Sequence, residues 1–178
     1  MRKEQKANYP ESARGAAALL VRMVLEDGAY TNIALNQYLR GSRLSDLDRR
    51  LATELVYGTV KASGTLDWYL AQCVSRPLDK VAGDILAILR ISTYQLLYMT
   101  RIPASAAVNE AVKLARSVSH EGSAKFVNGV LRGLLRKQEA GAFVLPDAEK
   151  QDADYLSLKY YHPRWLVKRW LGPWGRGG

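Results

Sequence analysis

The chain has 178 residues, of which 48% are hydrophobic, so it can bury one full domain and general disorder is excluded. Lys and Arg number 26 against 17 Asp and Glu, a net charge of +9 that favours polyanionic partners, because contacts to phosphates release condensed counterions. The one cysteine, Cys73, cannot close an internal disulfide, and with only two histidines no metal-ligand spacing arises.

Residues 1–10 read as a basic arm in which Arg2, Lys3 and Lys6 outnumber Glu4. A first helix is predicted from Glu11 or Ser12, burying Ala16, Leu19, Leu20, Met23 and Val24, and Asp27-Gly28 ends it. A shorter helix follows over Asn32–Leu39, closed by Gly41. Ser45 is the predicted cap of a third, with Asp46 and Asp48 at its positive end and Leu47, Leu51 and Leu55 along its inner face. Gly58 and Gly64 predict a kink or break before a helical stretch over Leu66–Cys73, and Pro77 stops any helix. Asp79–Met99 is the strongest helical prediction, with Val81, Ile85, Leu89, Ser92, Leu96 and Met99 as its inward stripe. Two more helices are expected, one carrying Ala107, Val108, Ala111, Val112, Ala115 and Val118, the other running from Ser123 to Arg136.

No strand alternation with hairpin turns occurs, so the expected fold is all-α, one helical bundle over residues 11–137. Residues 138–152 read as a linker and 153–178 as an aromatic and basic extension. Met1–Pro10 is too polar for a signal peptide, and Arg90 and Arg101 interrupt the apolar runs that could span a membrane. Cytoplasm is the expected location.

Catalytic chemistry finds little support. His120 lies at a turn before Gly122, His162 precedes Pro163, and Cys73 shares a side with Leu66, Tyr69 and Leu70, which suits a buried apolar thiol. No phosphate loop, dinucleotide fingerprint, zinc-binding His pair or serine elbow is present. No catalytic residue, cofactor or metal is therefore assigned to the chain. Electrostatics is more informative. At about 100° per residue, Arg132 and Arg136 fall within roughly 20° of the direction of Lys125, forming one positive stripe on the last helix. Asn128 lies beside the stripe, Lys137 extends the charge, and no acid interrupts residues 123–137. Such a face can position a phosphate backbone. Lys3, Lys6 and Arg14 are the further candidates, since basic arms often order on RNA. Tyr57 and Tyr94 could stack on bases, but their apolar neighbours favour core packing.

Four stretches, Asp46–Val60, Ile88–Tyr98, Ile102–Val112 and Lys125–Arg132, resemble the motifs of NusB-like domains in family order. With Leu156–Trp170 they resemble, more narrowly, the N-terminal region of the Sun/Fmu ribosomal RNA cytosine-C5 methyltransferases. That resemblance implies a NusB-like helical bundle that binds RNA, ribosomal RNA by analogy, in an rRNA-methylation or transcription-antitermination setting. It implies that methyl transfer and S-adenosylmethionine belong to a catalytic half lying beyond Gly178, so this chain alone is expected not to be an enzyme. It also implies that Leu51, Leu55, Tyr57, Leu89, Tyr94, Val108, Phe126, Val127 and Leu131 build the core, that Asn109 and Glu110 organise a helix start, and that Asn128 is a structural hydrogen bonder. The competing expectation is a protein-interaction or self-association module, with a protein partner or homodimer and no direct RNA contact.

Overall fold

Apolar spacing becomes helix throughout the residues that the computed structural model describes, 8–143. The elements are α1 (Ala13–Leu25), α2 (Thr31–Arg40), α3 (Asp46–Lys61), α4 (Ser63–Ala71), a 3-10 turn (Leu78–Lys80), α5 (Gly83–Tyr98), α6 (Ala104–Val118) and α7 (Glu121–Ala140). The all-α expectation holds among the described residues. Residues 144–178, which include most of the predicted linker and all of the extension, and the arm residues Arg2, Lys3 and Lys6 lie outside them.

Local chemistry starts and stops these helices. Ser12 Oγ accepts from the Gly15 amide at 3.0 Å and Ser45 Oγ from the Asp48 amide at 3.2 Å, so each caps a helix start that leaves amides unpaired. Gly141, at φ 62°, closes α7 in the left-handed conformation that glycine adopts without strain.

Helix α5 is the axis of the bundle. It packs against α1, α3, α4, α6 and α7, and its Ile85, Leu86, Ala87, Ile88, Leu89, Ile91, Ser92, Thr93 and Gln95 are all buried. An element covered on nearly every side has no need of a polar face, so the single inward stripe understated its burial. Alanines 107, 111 and 115 of α6 are buried and let it lie closely along α7.

Several expectations are corrected. Helix α5 starts at Gly83, not Asp79, because Val81 is extended and buries its side chain as an anchor between the 3-10 turn and the helix. The break expected before Leu66 is present, at Ala62 between α3 and α4, while Gly58 itself lies inside α3, where the Tyr94 ring occupies the space a Cβ would take. Leu47, in the first turn of α3, is 74% exposed rather than on an inner face. Tyr57 is 43% exposed, with its hydroxyl donating to Asn32 Oδ1 rather than filling the core. Asn109 is exposed and Glu110 pairs with Lys113 at 3.7 Å, both inside α6 rather than at its start. Asn128 is exposed on α7.

Arg90 has a structural use. Its guanidinium meets Asp67 with Nε–Oδ1 at 2.8 Å and Nη2–Oδ2 at 2.9 Å, tying α4 to α5. The Arg90 side chain is 12% exposed and Asp67 32%, so the pair is only partly screened. Arg90→Ala is expected to cost about 1–2 kcal/mol in urea unfolding, between the values for exposed and buried pairs. An unchanged midpoint would show that the pair adds nothing.

Candidate nucleic-acid interface

Helix α7 positions the basic stripe. His120 Nδ1 accepts from the Ser123 amide at 3.3 Å and caps the helix, which makes His120 a structural cap. Ala124, Val127, Val130, Leu131 and Leu134 are buried, and this leaves Lys125, Asn128, Gly129, Arg132 and Arg136 facing outward. Among the described residues, none of Lys125, Arg132 and Arg136 is engaged in an ion pair. Acids stand only towards the two ends, at Glu121 and Glu139. Glu121 is taken by Arg116, Nε–Oε2 2.6 Å, whose hydrogen bond holds its carboxyl below the ordinary range, with Lys125 adding to the effect. The stripe's own charge therefore stays largely free for an external anion.

Beside the stripe lies a cleft of about 310 Å³, lined by Arg76, Lys80, His120, Ser123 and Phe126, with Val81, Ala82 and Ile85 as its apolar wall. The Arg76 guanidinium lies 4.7 Å above the Phe126 ring centre. A cation on an aromatic face is held in place while its outer N–H groups remain able to meet a phosphate. Sequence reading missed Arg76 and Lys80. Arg76 precedes Pro77 and Lys80 ends the 3-10 turn, a stretch legible only as a helix stop, and only packing brings them to the start of α7.

The other candidates separate from this face. Lys137 is half-buried and its Nζ donates to the Gln72 carbonyl at 2.7 Å, so it locks α7 onto the end of α4. It sits about 120° round the helix from Lys125, which is why it leaves the stripe. Arg14 Nε donates to the buried Gln95 Oε1 at 2.8 Å, and Gln95 Nε2 donates to the Ile91 carbonyl at 3.0 Å, a polar link between α1 and α5. Lys3 and Lys6 fall outside the described residues.

Burial raises the Cys73 thiol above its usual value, against the pull of Lys137, so the reactive thiolate is disfavoured. Among the described residues no three metal-ligating side chains converge, and no helix is long and apolar enough to cross a membrane. Nor do the described residues offer a strand leading through a glycine-rich turn into a helix, the setting that typically seats a nucleotide cofactor in α/β folds.

Among the described residues, a bundle of seven α-helices whose last, α7, carries a basic face defines a class of helical domain. Residues 11–136 match the model of the NusB family, and the chain belongs to that family. It is 40% identical over 165 residues to a probable ribosomal RNA small subunit methyltransferase B of Synechocystis sp., covering 93% of this chain and 36% of the relative. A protein described in the same words in Bacillus subtilis is 37% identical over 164 residues, covering 92% of this chain and 36% of the relative. The chain thus spans about a third of the length of these relatives. A chain in a crystal structure described as that of a plectonemic RNA supercoil shares the fold, with a TM-score of 0.68 and 19% identity over 74% of this chain and 97% of the other.

Proposed function

We propose that this chain is a non-catalytic RNA-binding domain, with ribosomal RNA as its substrate class, and that Lys125, Arg132 and Arg136 contact the phosphate backbone. The observation that carries this reading is the exposed stripe on α7, unpaired among the described residues, beside a cleft that adds Arg76 and Lys80. Similarity to ribosomal RNA methyltransferases, of which this chain spans about a third, supports ribosomal RNA as the class. On this reading methyl transfer, with S-adenosylmethionine, belongs to the part of those relatives that the chain does not span. The chain's own residues bind and orient the RNA. Lys125, Arg132 and Arg136 hold phosphates, and Phe126, which lines the cleft, offers aromatic surface to an unstacked base.

Titration with a single-stranded ribosomal RNA fragment across a salt series tests it. Affinity is expected to fall steeply with salt, and Lys125→Glu should weaken binding and flatten the slope, since each phosphate contact contributes about 0.7 to the slope for single strands. Salt-independent affinity, or a Lys125→Glu variant indistinguishable from the parent, would reject the face.

A second reading, protein interaction or self-association, is favoured by one observation. Tyr30 and Ile33 are 78% and 57% exposed, and the Tyr57 hydroxyl reaches Asn32 between them in sequence, leaving apolar surface at the α2–α3 edge. Sedimentation at increasing concentration separates the two. A monomer throughout counts against self-association.

A further inference from the structure

The last buried side chain of α7 is Leu134. Beyond it Arg136 and residues 138–142 are exposed, and Leu135, Lys137 and Phe143 are half-buried. A helix end without core contacts frays, because its final turn is held by backbone bonds alone. Arg136, one of the three cations assigned to the phosphate backbone, stands at the start of that weakly covered stretch. Its Nη2 lies 3.7 Å from the place a Cβ on Gly133 would take, so the guanidinium leans back along the helix towards its start. Where Arg136 points therefore depends on what holds the end of α7.

Three contacts hold it. The Gly141 amide donates to the Gln138 carbonyl at 3.2 Å and the Ala142 amide to the Lys137 carbonyl at 2.9 Å, the paired bonds of a Schellman cap. The cap turns the chain, and the next residue, Phe143, lands on α4. Its ring centre lies 4.7 Å from that of Tyr69, edge-on at 86°, and 6.3 Å from that of Trp68. Trp68 and Tyr69 meet edge-on in turn, 4.9 Å apart at 79°, so the three rings form one cluster. The bond from Lys137 to the Gln72 carbonyl ties the same turn, but it sits at the tip of a flexible four-carbon stem and lets the helix end rotate. Packed rings do not.

We propose that Phe143, clasped on Trp68 and Tyr69, is a positioning residue for the RNA-binding face: it holds the last turns of α7 in place, so that Arg136 stays aligned with Arg132 and Lys125. This rests on the RNA-binding reading of α7. A cation whose helical turn is formed only part of the time meets phosphate only part of the time, and affinity falls by that fraction. The effect has a ceiling, since losing the clasp can cost no more than losing Arg136 itself. The buried residues of α7 all precede the clasp, so Phe143→Ala leaves the bundle folded.

Amide hydrogen exchange and RNA titration on the full chain test it together. In Phe143→Ala the amides of residues 136–141 are expected to exchange about tenfold faster, the order set by losing an aromatic contact, while residues 124–134 keep their protection. Phe143→Leu, which retains apolar contact, should recover most of the difference. Affinity for a single-stranded ribosomal RNA fragment at low salt is expected to fall about threefold in Phe143→Ala, and not at all when Arg136 is already alanine. Unchanged exchange at residues 136–141 would overturn the clasp. An equal loss of affinity with and without Arg136 would mean that Phe143 acts through stability or direct contact, and would overturn the positioning role. So would parental affinity for Phe143→Ala while Arg132→Ala loses affinity, an outcome that leaves the RNA reading standing. Failure of the parent chain to bind the fragment at any salt would remove both.

Discussion

Replacing Arg132 and Arg136 together with alanine is expected to weaken RNA binding about tenfold to thirtyfold at low salt and to lower the log–log salt slope by about 1.4, two contacts at 0.7 each. The expectation follows from where these side chains are. Both are exposed, they sit four residues apart on one face, and neither has an ionic partner among the described residues. Removing them leaves no buried group unsatisfied, and alanine is the best helix former, so circular dichroism and melting temperature should stay at parental values. Lys137→Ala supplies the contrast. Its ammonium is already used by the Gln72 carbonyl, so its loss should alter stability slightly and the salt slope little. If Lys137→Ala flattened the slope as much as the arginine pair, the assignment of the face to one side of α7 would fail.

Gly58→Ala should destabilise the bundle by about 2 kcal/mol, against the ordinary gain of close to 1 kcal/mol for glycine to alanine inside a helix. The Tyr94 ring, itself tilted against Tyr98 with ring centres 5.5 Å apart, fills the place of the missing Cβ. Helix α3 approaches α5 at that point only because no side chain intervenes. Gly129→Ala tests the other sign. No atom lies within 4 Å of its Cβ position on the outer face of α7, so alanine should raise stability by close to 1 kcal/mol. Chemical unfolding of both variants checks the pair. Stabilisation at both positions would show that the Tyr94 ring moves aside at little cost.

The contrast between these glycines shows how far sequence reading reaches. Both are helical and look alike in a linear pattern, as possible weak points. Gly58 is required by a ring thirty-six residues away, and Gly129 by nothing visible in the described residues. The same holds for Leu47 and Tyr57. Their spacing and their motif placed them inside, yet α3 turns both to solvent because its neighbours do not extend over them. Arg76 and Lys80 escaped notice for the converse reason, since cations around a helix stop carry no sign of which helix they will meet.

Helix content, the cap at Ser45, and the alignment of Lys125, Arg132 and Arg136 were determined by the sequence alone, because period, cap chemistry and angle round a helix are local properties. Tertiary packing alone decided that α5 is enclosed on nearly every side, that Lys137 is diverted to α4, and that a cleft with Arg76 and Lys80 opens beside the stripe. The physical reason is range. A residue's direction on its own helix is set by its neighbours within a turn or two, whereas the atom it meets belongs to a distant segment and is known only once the helices are in place.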